Sequence, residues 1–217
     1  MKKLWSVLQV FFIGLFNGNK WTAKRVAKIV ITSAEMRRWY KKEFGVSVDF
    51  GKPKSSDPVY TWAVCDPPRN ILSNKDIVSG GHNSLPISSF FYEEGEFDDN
   101  ILHEGRDIND EIRVVFIRPN LFADEDMRFL PYDDIVERSI RVLTLREVLI
   151  IYRFMWNRYG IRLDSGLGTL TGSRFPDGKV PFFGWRNNSY VVVGGADSNN
   201  HLGFWCARRA VPAVFTQ

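Results

Sequence analysis

The feature that most constrains this chain is one strongly specified helix in its second half. Thr144 and Glu147 stand three residues apart as a capping box, in which each side chain satisfies an exposed backbone N–H of the first turn. Leu145, Val148, Leu149, Tyr152, Met155, Trp156 and Tyr159 then recur at helical spacing, and Gly160 is a natural stop. An apolar stripe this wide must be buried against another layer. Its aromatic residues are core residues rather than a cofactor box. From Gly166 onward, glycine, asparagine and serine become frequent and short β-type runs alternate with turns. Lys179–Trp185 is a predicted strand, Asn187-Asn188 a tight turn, and Ser189–Val193 the returning strand of a hairpin. A polar loop is expected from Gly194 to His201, and a last strand over Leu202–Ala207. One long helix followed by closely spaced hairpins predicts the α+β class with an antiparallel sheet.

The first half carries weaker signals. Leu4, Val7, Leu8, Phe11, Phe12 and Leu15 fall at helical spacing, which predicts an amphipathic helix packed on the body. Lys2 and Lys3 ahead of them give the outline of a secretory signal, but Ser6, Gln9 and Gly14 interrupt it, and the stretch is too short to span a bilayer. Thr22 can cap a helix carrying Val26, Ile29 and Val30. Ser33 can cap the next, with Met36, Trp39 and Tyr40 on one face and Gly45 as its stop. Prolines 53, 58, 67 and 68 break regular structure around a strand at Val59–Val64. Loops are expected at Gly80–Asn83 and through the acidic run from Glu93 to Glu111. Glu111–Ile117 is the best strand before the long helix, and Asp133 starts a short helix. The expected division is a helical and irregular supporting region over 1–110 and a second domain over 111–217.

Composition excludes some classes. With 44% apolar and 14% aromatic residues the chain can bury a core and is not disordered. The net charge of +4 divides into basic residues before Lys54 and acidic ones between Glu93 and Glu111. The basic residues lie within helical patterns rather than in an unbroken run, so a solvated helix face is favoured over a nucleic-acid-binding arm. Cys65 and Cys206 form no disulfide framework and no zinc spacing, and His82, His103 and His201 have no metal-ligand spacing. Gly166-Leu167-Gly168 lacks the rest of a phosphate-binding loop. No catalytic residues, no metal ligands and no cofactor are expected, and the chain is read as not an enzyme.

The C-terminal third supplies a resemblance. Asn200–Val211, containing Gly203-Phe204-Trp205-Cys206-Ala207-Arg208, resembles the closing strand of the formylglycine-generating-enzyme-like branch of C-type lectin folds, with Trp205 where an arginine is common. Upstream, Leu143–Glu147, Thr171–Arg174, Asp177–Pro181 and a hairpin tryptophan occur in the order found in variable proteins diversified by retroelements in archaeal viruses and small-genome bacteria and archaea. The resemblance covers about the last third of the chain. It implies a C-type lectin-like fold with an antiparallel sheet and an N-terminal helical extension.

It also implies a function: a ligand-binding display protein whose surface is varied by adenine mutagenesis. Adenine-rich AAC-type codons cannot become Lys, Glu, Gln, Met or Trp, and none of these occurs from Arg186 through Phe204. A variable site needs exposed positions on a rigid scaffold. The period of two along a strand lets one face stay in the core while the other varies. The expected framework is Phe183, Trp185, Leu202, Phe204 and Trp205. The expected binding surface is Phe182, Gly184, Arg186, Asn187, Asn188, Tyr190, Val192, Gly194, Gly195, Ala196, Asp197, Ser198, Asn199, Asn200 and His201. Asn, Tyr, Ser and Gly suit adaptable recognition. The implied partner is a protein or glycan of unknown identity, bound by a monomer in the cytoplasm or on a virion or cell surface, without nucleic acid or a membrane span. The calcium-binding triplets of C-type lectins are missing, and Arg118-Pro119-Asn120 opens on a cation-repelling residue. The alternatives are a lectin-like module with a fixed ligand, a divergent formylglycine-generating-type enzyme, and a nucleic-acid-binding protein.

Overall fold

The computed structural model describes residues 23–50, 59–81, 84–90, 102–103, 112–186, 190–200 and 205–213. The amphipathic segment expected at Leu4–Phe16 and most of the acidic run lie outside these residues. In chain order the elements are α1 (Ala23–Val26), α2 (Ser33–Phe44), β1 (Trp62–Asp66), α3 (Asn74–Ser79), β2 (Ile87–Phe90), β3 (Leu102–His103) and β4 (Arg113–Ile117). After a short 3-10 turn at Glu125–Met127 come α4 (Tyr132–Glu137), α5 (Leu145–Tyr159), β5 (Gly168–Leu170), β6 (Ser173–Arg174), β7 (Val180–Arg186), β8 (Tyr190–Ala196), β9 (Trp205–Cys206) and β10 (Val211–Pro212).

Helix α5 organises the molecule. The Thr144 hydroxyl accepts from Glu147 N, and the Glu147 carboxylate accepts from Thr144 N at 2.9 Å. Gly160 ends the helix at φ 65°, a left-handed conformation that a side chain disfavours. Every residue from Leu145 to Met155 is buried, on all sides of the helix. A helix covered all round needs two layers, and the first half of the chain supplies the second one. Strand β1 runs antiparallel to β4 from Trp62↔Ile117 to Asp66↔Arg113, and β10 pairs the other edge of β4. One continuous core joins Tyr40, Trp62, Ile77 and Phe116 to Leu149, Phe154, Phe183 and Val193. The helix polar groups are tied across it. Arg146 meets the Asp66 carboxylate and donates to Asn74 Oδ1 at 3.0 Å, and Arg153 meets Glu43 at 2.8 Å. Residues on either side of position 110 therefore share a sheet, a core and two buried ion pairs.

The second sheet has five strands in the order β2-β8-β7-β5-β9. Its heart is the antiparallel hairpin β7–β8, in register from Val180↔Ala196 to Arg186↔Tyr190. The sheet is mixed, because β2 lies parallel to β8 and β9 parallel to β5. Alternation assigns the hairpin faces. Phe183, Trp185, Val191 and Val193 enter the main core beneath α5, where the Phe183 and Tyr152 ring centroids are 4.4 Å apart. Val180, Phe182 and Ala196 turn the other way, into a smaller cluster with Met127, Tyr132, Ile135 and Trp205.

Three expectations change. Helix α1 covers one turn only and leaves Val30 exposed. Helix α3 adds an element where a proline-broken stretch is expected, and Ser73 and Asp76 form its full capping box. Strand β8 continues to Ala196 instead of giving way to a loop at Gly194, because Gly194–Ala196 pair with Val180–Phe182.

Candidate binding surface

The expected binding surface divides when it is placed on this scaffold. Asp197 and Asn199 are exposed, and Ser198, Asn200, Gly195, Phe182 and Gly184 are half-buried. Val192 and Ala196 are buried at 6% and 5% exposure, and Gly194 is buried as well. These three belong to the framework, contrary to expectation. The reason is topological. A two-stranded hairpin has a free outer edge, but β8 is an interior strand flanked by both β7 and β2, and the small cluster covers its Ala196 end. Asn187, Asn188 and His201, and the side chains of Arg186 and Tyr190, lie outside the described residues, as do Leu202 and Phe204. Phe183, Trp185 and Trp205 are buried, as expected of framework.

The exposed turn after β8 is held in place by its neighbours. Asn200 N donates to Asp197 O at 3.1 Å, closing the turn. Asp133 N donates to Ser198 O at 3.1 Å, and the Ser198 hydroxyl donates to Asp133 Oδ2 at 3.0 Å. Asp133 stands in the first turn of α4. Arg174 lies on its other side, with its guanidinium 4.1 Å from the Tyr132 ring centroid and 3.8 Å from Asp133 Oδ1. Arg174 also donates to Gly178 O at 3.0 Å. Asp133 and Arg174 thus fix the turn that carries Asp197 and Asn199. Sequence alone gave no sign of this role for either residue, since their contacts come from segments far apart in the chain.

Glycine also sets how closely β5, β7 and Trp205 approach. A Cβ on Gly168 would stand 2.3 Å from the Trp205 ring, and one on Gly184 would stand 3.2 Å from Leu167 O. The Trp205 ring occupies the space a side chain at Gly168 would need and meets the Phe182 ring at 4.7 Å between centroids. The close approach of β5, β7 and the Trp205 ring therefore depends on glycine at both positions.

Beneath the sheet is a closed polar cluster. Asp164, at φ 52°, accepts from Arg208 through both oxygens (2.8 and 3.0 Å), from Thr169 at 3.0 Å and from Tyr152. Arg208 also donates to the carbonyls of Asn120 and Leu121. The cluster is fully buried and its charges are matched, so it joins α5, the loop after it, β5 and the segment between β9 and β10 as a structural tie. Burial pushes the Cys206 thiol far above its usual pKa, and pushes the Cys65 thiol up to about 12. Both are held as protonated thiols, and a thiol is a far weaker nucleophile than its thiolate. Among the described residues no three His, Cys, Asp or Glu side chains stand close enough to share a metal ion, and no helix is long and apolar enough to cross a membrane.

The fold and this surface define a mixed α+β protein, with a polar turn displayed at the end of a firmly seated hairpin. The chain matches no protein-family model, no curated protein and no solved structure.

Proposed function

We propose that the chain is a non-enzymatic display protein, with a C-type lectin-like second half that presents a retroelement-diversified surface to a protein or glycan ligand. The observation that carries this reading is the division of labour along β7–β8. Phe183, Trp185, Val191 and Val193 anchor the hairpin in the core, while Asp197 and Asn199 project from a turn held by Asp133. Such a turn can change its side chains at little cost to folding. The reading carries no cofactor and no nucleic acid, and it places the protein in the cytoplasm or on a virion or cell surface.

Sequencing the gene's surroundings tests it. The expected finding is a near-copy of the segment encoding Pro181–Arg209, differing almost only at adenines, beside a reverse transcriptase gene. Differences should concentrate at the exposed Asp197 and Asn199 and spare Val192 and Ala196. A locus with neither feature would overturn diversification. The burial of Val192 and Ala196 favours one second reading, a lectin-like module with a fixed ligand, and that locus would select it.

A further inference from the structure

Six described arginines lie against aromatic rings: Arg118, Arg128, Arg153, Arg158, Arg162 and Arg174. Five also have an oxygen partner. Arg118 meets Asp124, Arg153 meets Glu43, Arg158 meets Glu35, Arg174 meets Asp133, and Arg128 donates to Ala123 O. Arg162 is the exception. Its guanidinium stands 4.9 Å from the Trp156 ring centroid and 5.6 Å from that of Trp185, and no described residue accepts a hydrogen bond from it or pairs with its charge.

The three separations are nearly equal, since the two indole centroids are 5.5 Å apart. The guanidinium therefore rests on both rings from one side, which leaves its opposite face uncovered by them. The rings hold it in place and remove part of its hydration, and burial draws its pKa below the usual guanidinium value. A partly desolvated cation supported only by ring faces lacks a counter-charge. The same stack holds two further N–H donors without an acceptor, the buried Arg162 Nε and Trp185 Nε1. Among the described residues the cluster has donors and a positive charge, and none supplies it with an oxygen acceptor.

We propose that the Trp156–Arg162–Trp185 stack is a recognition point for the carboxylate of a small organic acid. A planar, forked guanidinium pairs two N–H groups with the two oxygens of a carboxylate, and a pre-positioned fork loses less entropy on binding than a free one. The adjoining indoles supply an apolar flank for the carbon skeleton of the acid. The site lies on the α5 side of the hairpin, on the opposite face from Phe182 and Ala196, so it stands or falls independently of diversification at Asp197–Asn200.

The test is calorimetric titration of the full chain at low ionic strength with glucuronate, acetate, glucose and inorganic phosphate. Glucuronate is expected to bind saturably and glucose, its uncharged counterpart, not to bind. Glucuronate bound more tightly than acetate assigns the site to a sugar acid, whereas equal binding assigns it to a bare carboxylate. Arg162→Met should weaken binding by roughly ten-fold or more. Arg162→Lys, which keeps the charge and loses the fork, should fall between. A thermal melt of each variant separates this from unfolding. Equal binding of glucose, tighter binding of phosphate than of either acid, or undiminished binding by a folded Arg162→Met protein would overturn the proposal.

Discussion

At the scale of single residues, burial dictates protonation. The Cys65 thiol sits in the core of β1, and desolvation is the main force raising its pKa, from 9.0 to about 12. A group whose folded pKa is raised adds stability that is complete below its unfolded pKa. That stability is lost as pH rises toward the folded value. Between pH 9 and about 12 the unfolded chain releases this proton while the folded chain keeps it. Stability should therefore fall across that window by about 1.4 kcal/mol per pH unit for this thiol. Urea denaturation on either side of pH 9 measures the decline, and Cys65→Ala should lessen it. The expected inertness of the thiol toward alkylating reagents at neutral pH has the same cause.

At the scale of elements, the hairpin separates residues that look alike in sequence. Strand alternation places Val192, and the expected polar loop places Ala196, on the same surface as Asp197 and Asn199. Val192→Asn or Ala196→Asn buries an amide in a packed sheet and should cost about 1–3 kcal/mol. Asp197→Ala or Asn199→Ala should change stability by about 0.5 kcal/mol or less. Thermal melts of the four variants compare them directly, and equal losses would mean that the turn is framework as well. The elements best foretold by sequence were those with local causes. The capping box at Thr144, the glycine stops at Gly45 and Gly160, and the hairpin alternation all act within a few residues. Long-range pairing was not legible. Strand β2 lies about a hundred positions before β8, and nothing local announces that it will pair with it and make β8 an interior strand. The Arg162 stack is illegible in the sequence for the same reason, since Trp185 comes to it from β7. Helix α3 differs, because Ser73 and Asp76 displayed a usable local signal that the surrounding prolines obscured.

At the scale of the whole molecule, a sheet, a core and two buried ion pairs cross position 110. Arg146 and Arg153 of α5 find Asp66 and Glu43 only in the first half, and β4 takes β1 as a partner. Removing one member of a buried ion pair costs about 3–5 kcal/mol, comparable with much of a domain's net stability. A fragment beginning at Ile112 would lose both partners and a face of the core, and should show no cooperative melting transition by circular dichroism. A fragment that melted cooperatively would mean that the second half folds alone. One consequence concerns the reading frame. Arg208, which neutralises Asp164 beneath Tyr152, is encoded after the turn whose side chains are proposed to vary. A substitution in that turn leaves Arg208 in place, but a frameshift or premature stop there removes it and strands a carboxylate in the core. The fold thereby screens its own variants, and only copies read in frame through Arg208 would persist as folded protein.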